Sequence, residues 1–118
     1  MSNSSTAAKA DEIISTLLAD SMGWKTGNTE LSAWHTASGQ YLLAKSDWIP
    51  TSNIAQAFHI VDYLNQKGFL IGVFQHIPGE FIVNVISKSG IMNGGSSYKG
   101  RKLPLLICKA ALSVLCNK

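Results

Sequence analysis

The stretch "FLIGVFQHIPGEFIVNVIS" (Phe69–Ser87) decides the fold. Two runs rich in β-branched and aromatic residues flank Ile77-Pro78-Gly79, the pattern of two strands joined by a tight turn. Strands are predicted over Phe69–His76 and Glu80–Ser87. Successive side chains on a strand point to opposite faces, so Phe69, Ile71 and Val73 go one way and Leu70 and Phe74 the other. Both faces are apolar, and a strand of that kind calls for cover on both sides.

The elements on either side supply that cover. Upstream, "TSNIAQAFHIVDYLNQKG" predicts a helix from Ser52 to Lys67, capped by Thr51, Ser52 or Asn53 and stopped at Gly68. Its apolar stripe is Ile54, Phe58, Val61 and Leu64. Before it, "ELSAWHTASGQYLLAK" predicts a hairpin around Ser38-Gly39. Earlier still, "ADEIISTLLADSMGW" predicts a helix that opens on Asp11 and Glu12, carries Ile13, Ile14, Leu17, Leu18 and Met22 on one stripe, and ends at Gly23. Downstream, a helix opens at Pro104 and runs to about Cys116, apolar around almost its whole circumference except at Lys109 and Ser113.

The order is α-β-β-α-β-β-α. It predicts an α+β fold in which an antiparallel sheet of about four strands is sandwiched between helices, as α-β-α layers. Residues 1–10 are expected as a polar, disordered tail and residues 11–118 as a single domain. A length of 118 residues suits one core. Charged residues make up only 14% of the chain, and the last helix has more apolar surface than one sheet can cover. Both features predict a homo-oligomer; burial within one chain is the plain alternative.

Charge is uneven along the chain. Residues 1–50 hold three Lys against five acids, whereas residues 51–118 hold seven Lys or Arg against two acids. Four of those seven cations fall between Lys88 and Lys102. An anionic partner is the expectation. No secretory pattern opens the sequence and no apolar run reaches spanning length, so no membrane role is expected. Cys108 and Cys116, eight apart on one predicted helix and so ~12 Å apart along its axis, are expected as buried thiols in a reducing compartment.

Three of those four sit in "SGIMNGGSSYKGRKLP" (Ser89–Pro104). Gly94, Gly95 and Gly100 expose backbone N–H groups, Lys99, Arg101 and Lys102 add charge, and a helix N-terminus follows. Together these suit a phosphate or pyrophosphate; a solvated loop is the plain alternative. The nucleotide-hydrolase loop is a poor fit. Arg101 replaces its lysine, Lys102 and Leu103 stand where a magnesium-binding hydroxyl belongs, and Pro104 delays the helix. A second helix start, "WIPTSNIAQ", offers Thr51 and Ser52 to a phosphate and Trp48 to a base, against the alternative of an ordinary cap with a core tryptophan.

Candidate ligand-binding residues are therefore Lys99, Arg101, Lys102, Lys109, Tyr98, Trp48, Thr51 and Ser52, with Tyr98 a second stacking candidate. His35, His59 and His76 lie at no metal-ligand spacing, and Glu30, Asp47, Asp62 and Glu80 form no carboxylate pair. No catalytic residue, metal or cofactor is expected. Duplex DNA is disfavoured, because no helix carries base-reading Arg or Asn.

Three stretches in order, "SMGW", "PTSNIAQAFHIVDYL" and "LPLLICKAAL", resemble the phage ABA-sandwich domain family, a group of small proteins of bacteriophages and prophages. The resemblance covers about Asp11 to Leu115 and implies helices layered on both sides of an antiparallel sheet. Lys109 stands where the family pattern has arginine, which keeps the charge but not the two-pronged donor. The design is also similar to that of phage anti-Thoeris sponge proteins, oligomers that sequester cyclic ADP-ribose-type immune signals. These likenesses imply an anti-defence binding protein (a sponge) for a cyclic-nucleotide-class anion, acting without catalysis in the cytoplasm of the bacterial host. The alternatives are a protein–protein inhibitor of a host defence enzyme and a nucleotide-cleaving enzyme.

Overall fold

The computed structural model describes residues 2–26, 32–87 and 97–115. The fold is α+β, with three α-helices and two three-stranded antiparallel sheets among the described residues. Two compact units divide the chain, Met1–Ile49 and Pro50–Lys118.

In the first unit, α1 spans Ser2–Ser21, then β1 Lys25–Thr26, β2 Ala33–His35 and β3 Tyr41–Ala44 form a sheet in the order β1-β2-β3. Helix α1 extends through the stretch expected as a tail, where alanines are frequent, so Asp11 and Glu12 lie mid-helix rather than at its start. Its buried face is built on Ser15, Leu18 and Ala19, while Ile13 and Leu17 are exposed, which corrects the broader stripe read from the sequence. The β2–β3 hairpin closes as expected: Gly39 takes φ +96°, and Thr36 Oγ1 accepts the Gln40 N–H at 3.0 Å. Strand β1, two residues long, is an addition that no periodicity could show.

In the second unit, α2 spans Ile54–Gln66 and α3 spans Leu103–Leu115. Between them, β4 (Phe69–Ile77), β5 (Glu80–Ser87) and β6 (Ser97–Gly100) pair in that order. Asn53 caps α2, its Oδ1 accepting the Gln56 N–H at 3.0 Å. The helix buries Ala57, Ile60, Val61 and Leu64, and leaves Ile54 and Phe58 exposed. The stripe expected from the sequence is therefore rotated toward the small Ala57, which lets the helix seat closely on the sheet.

Pairing of Ile71 with Val85 and of Val73 with Val83 puts the odd-numbered residues of β4 and β5 on one face, as the alternation predicts. Val83 and Val85 join Ala57, Val61, Leu106, Ile107 and Ala110 in one core, with Phe69, Ile71, Phe81 and Tyr98 packed against it. Helix α2 packs over β4, and α3 over β5 and β6. Each fully buried side chain such as Ile107 contributes roughly 1.5–3 kcal/mol of transfer free energy. The reverse face carries Leu70, Phe74 and Ile86, all exposed, where the two-sided pattern implied a second cover.

Two three-stranded sheets stand where one sheet of about four strands was expected, because β1 and β6 each add an edge strand to a predicted hairpin. Ser97-Tyr98-Lys99-Gly100, expected as part of a glycine loop, is an edge strand paired to β5 from Phe81↔Gly100 to Asn84↔Ser97. Ser97 Oγ and Asn84 Oδ1 meet at 2.6 Å across that pair. Helix α3 buries Leu106, Ile107, Cys108, Ala110 and Ala111, with Leu105, Leu112, Val114 and Leu115 half-buried and Lys109 outside. Cys108 is buried in the core, as expected, and Cys116 lies outside the described residues.

Candidate functional site

The candidate site is the junction of β6 and α3. Strand β6 stops at Gly100, Arg101 and Lys102 make the turn, and α3 starts at Leu103. The Lys102 carbonyl accepts the Leu106 N–H at 3.0 Å, so Lys102 occupies the cap position and the first helical N–H groups lack partners within the helix. Pro104, in the first turn, gives up no helical hydrogen bond there. The N-terminal end of α3 carries partial positive charge and adds to that of Arg101 and Lys102, both exposed.

The β4–β5 hairpin approaches the same junction. Gly79, at φ +79°, forms its turn, and the Arg101 guanidinium Nη1 lies 3.4 Å from where a Cβ on Gly79 would stand. Glu80 sits 4.0 Å from the Lys99 ammonium. The cations are thus not acid-free in space, although the sequence around them is. A half-exposed pair 4.0 Å apart contributes about 0–1 kcal/mol, and the exposed Arg101 and Lys102 add their charge beside it. Gly79 and Glu80 escape sequence reading because only the pairing of β5 with β6, across an intervening segment, brings them here.

The remaining predicted residues fall elsewhere. Lys109 is exposed on α3, six residues past its start and so ~9 Å further along the axis. Tyr98 points to the core face of the sheet and packs against the core cluster. Thr51 is buried and Ser52 exposed ahead of α2, and the cap there is Asn53. Trp48 is 3% exposed. Its indole N–H donates to the Ser15 carbonyl at 2.8 Å, and its ring centroid lies 4.6 Å from that of Trp24. That is the environment of a packing residue, not of a stacking platform open to a base. Gly94, Gly95 and Lys88 lie outside the described residues.

Gly100 gains a different role from the one its sequence context suggested. A Cβ there would stand 3.3 Å from Cδ2 of the buried Leu106, so the missing side chain lets α3 close on β6. Among the described residues, no three His, Cys, Asp or Glu side chains gather as a metal ion would require. No helix among them is long and apolar enough to cross a membrane.

Among known families, the phage ABA sandwich domain matches the chain over residues 17–112. Neither the curated proteins nor the solved structures contain a match to the chain.

Proposed function

Because the chain belongs to the phage ABA sandwich domain family, we propose that it is a phage anti-defence binding protein that sequesters a phosphate-bearing cyclic nucleotide in the host cytoplasm, without catalysis. The observation that carries this reading is the placement of Lys99, Arg101 and Lys102 within four positions of one another at the N-terminal end of α3. Backbone donors, helix polarity and exposed cations act there in the same direction on a phosphate. Arg101, with a planar two-pronged donor, is the strongest single contact in this scheme. Lys109 would serve a second phosphate further along the helix. Tyr98, Trp48, Thr51 and Ser52 have no part in it.

Isothermal calorimetry against cyclic dinucleotides and cyclic ADP-ribose isomers tests the proposal. Binding heat is expected at micromolar protein, with the ligand recovered intact by mass spectrometry after denaturation. Arg101→Ala should weaken binding at least about tenfold, the scale of one charge-assisted hydrogen bond. No heat from any of these ligands removes the reading, and product accumulating over many turnovers makes the protein an enzyme instead.

A second reading, an inhibitor of a host defence enzyme, draws on α1. Ile13 and Leu17 are 55% and 41% exposed and lie one turn apart, an anchor pair of the kind that seats in a partner's groove. Capture of one host protein that persists after nuclease treatment and is lost with Ile13→Glu would favour it.

A further inference from the structure

We propose that two copies of this chain associate through the free edge of β4, each strand pairing antiparallel with its symmetry mate to make one six-stranded sheet. The inference is independent of the ligand-binding reading. It starts from the strand edges. The outer strands of the two sheets are β1 (2 residues), β3 (4), β6 (4) and β4 (9). Three are short, and short edges offer little to pair with. Strand β4 is long, and among the described residues it has β5 as its one neighbour.

Natural sheets guard long edges with Lys, Pro or an early bulge. Phe69–Gln75 has none of these: no charge, no proline, and an unbroken register until the irregularity after Gln75. Alternate N–H and C=O groups along that edge point outward with no sheet partner, at a cost that water or another strand must offset.

The surfaces flanking the edge are apolar. On the reverse face, Leu70 and Phe74 belong to β4 itself, and Phe74 is 54% exposed. The ring of Phe74 lies across Gly72, 3.1 Å from where a Cβ would be, which flattens this face beside the edge. On the other face, Val73 is exposed although it points toward the core side, as expected where a sheet stops without cover. The helix over β4 is α2, and it carries the exposed Ile54 and Phe58.

A second copy is the occupant that fits. An antiparallel strand is complementary to itself under a two-fold axis, which aligns both hydrogen-bonding edges and both apolar flanks at once. No charged side chain of β4 would meet its own image. The exposed parts of Leu70, Val73, Phe74, Ile54 and Phe58 amount to roughly 400–500 Å², taking ~200 Å² for a whole large side chain. With the strand edge added, this approaches the ~800 Å² per partner of a stable interface.

Two measurements on the full chain test this. Sedimentation or light scattering should give twice the 12.7 kDa chain mass, and hydrogen exchange should protect the outward amides of Phe69–Gln75 as strongly as those paired to β5. Phe74→Lys, at an exposed site, should keep the circular dichroism spectrum and raise the dimer Kd by at least about thirtyfold, the effect of losing one interface anchor. A monomer at all concentrations to ~100 μM, or an oligomer whose outward β4 amides exchange freely, overturns the proposal. If Phe74→Lys does not fold, the exchange pattern of the wild-type chain decides.

Discussion

Two strand glycines show how much a residue's meaning depends on what arrives from elsewhere. At Gly100 a Cβ would press on Leu106, which is locked in the core. Gly100→Ala should cost about 1–2 kcal/mol, read as a lower urea midpoint at unchanged slope. At Gly72 the Cβ would meet the far end of the Phe74 ring, a half-exposed side chain outside the core cluster. Gly72→Ala should therefore change stability by less than about 0.5 kcal/mol, since the lost freedom of the unfolded chain offsets the small adjustment. Trp48→Phe removes the donor to the Ser15 carbonyl and should cost about 1 kcal/mol. None of these contrasts is legible in the sequence. Gly100 there is one of several glycines near basic residues; its packing role appears only when α3 crosses β6.

At the scale of elements, period-two patterning carries the β4–β5 hairpin and its turn at Gly79 almost to its observed limits, and places the shorter β2–β3 hairpin around Gly39. Helix patterning is less decisive. Positions 54, 58, 61 and 64 and positions 57, 60, 61 and 64 both satisfy helical spacing, and the second set wins because Ala57 permits close approach. A scale that rewards size overlooks an alanine in that role. Strand β6 is missed for the opposite reason: Ser97 and Lys99, in a sequence with Gly94, Gly95 and Gly100, read as a loop, and only the partner strand makes Ser97–Gly100 extended. The cap of α2 is testable directly. Asn53→Ala should lower stability by about 1 kcal/mol, measured by thermal or urea unfolding, because the Gln56 N–H loses its acceptor.

Over the whole molecule, the basic balance of residues 51–118 was legible from composition, and the cations at the start of α3 are its densest expression. Their neighbour Glu80 was not, because sheet pairing places it. Exposed cations are screened by salt, so binding of a phosphate-bearing ligand at this junction should weaken several-fold between about 50 and 500 mM NaCl. A salt-independent Kd from calorimetry would place the ligand elsewhere. The three tryptophans add a practical consequence. Trp24, Trp34 and Trp48 all lie within Met1–Ile49, while the cations at the α3 junction lie within Pro50–Lys118. Tryptophan emission is therefore a private spectroscopic reporter of the N-terminal unit, and the unit that holds the α3 cations is dark to it. A melting curve followed at those wavelengths will register an anion at α3 only to the extent that the two units unfold as one.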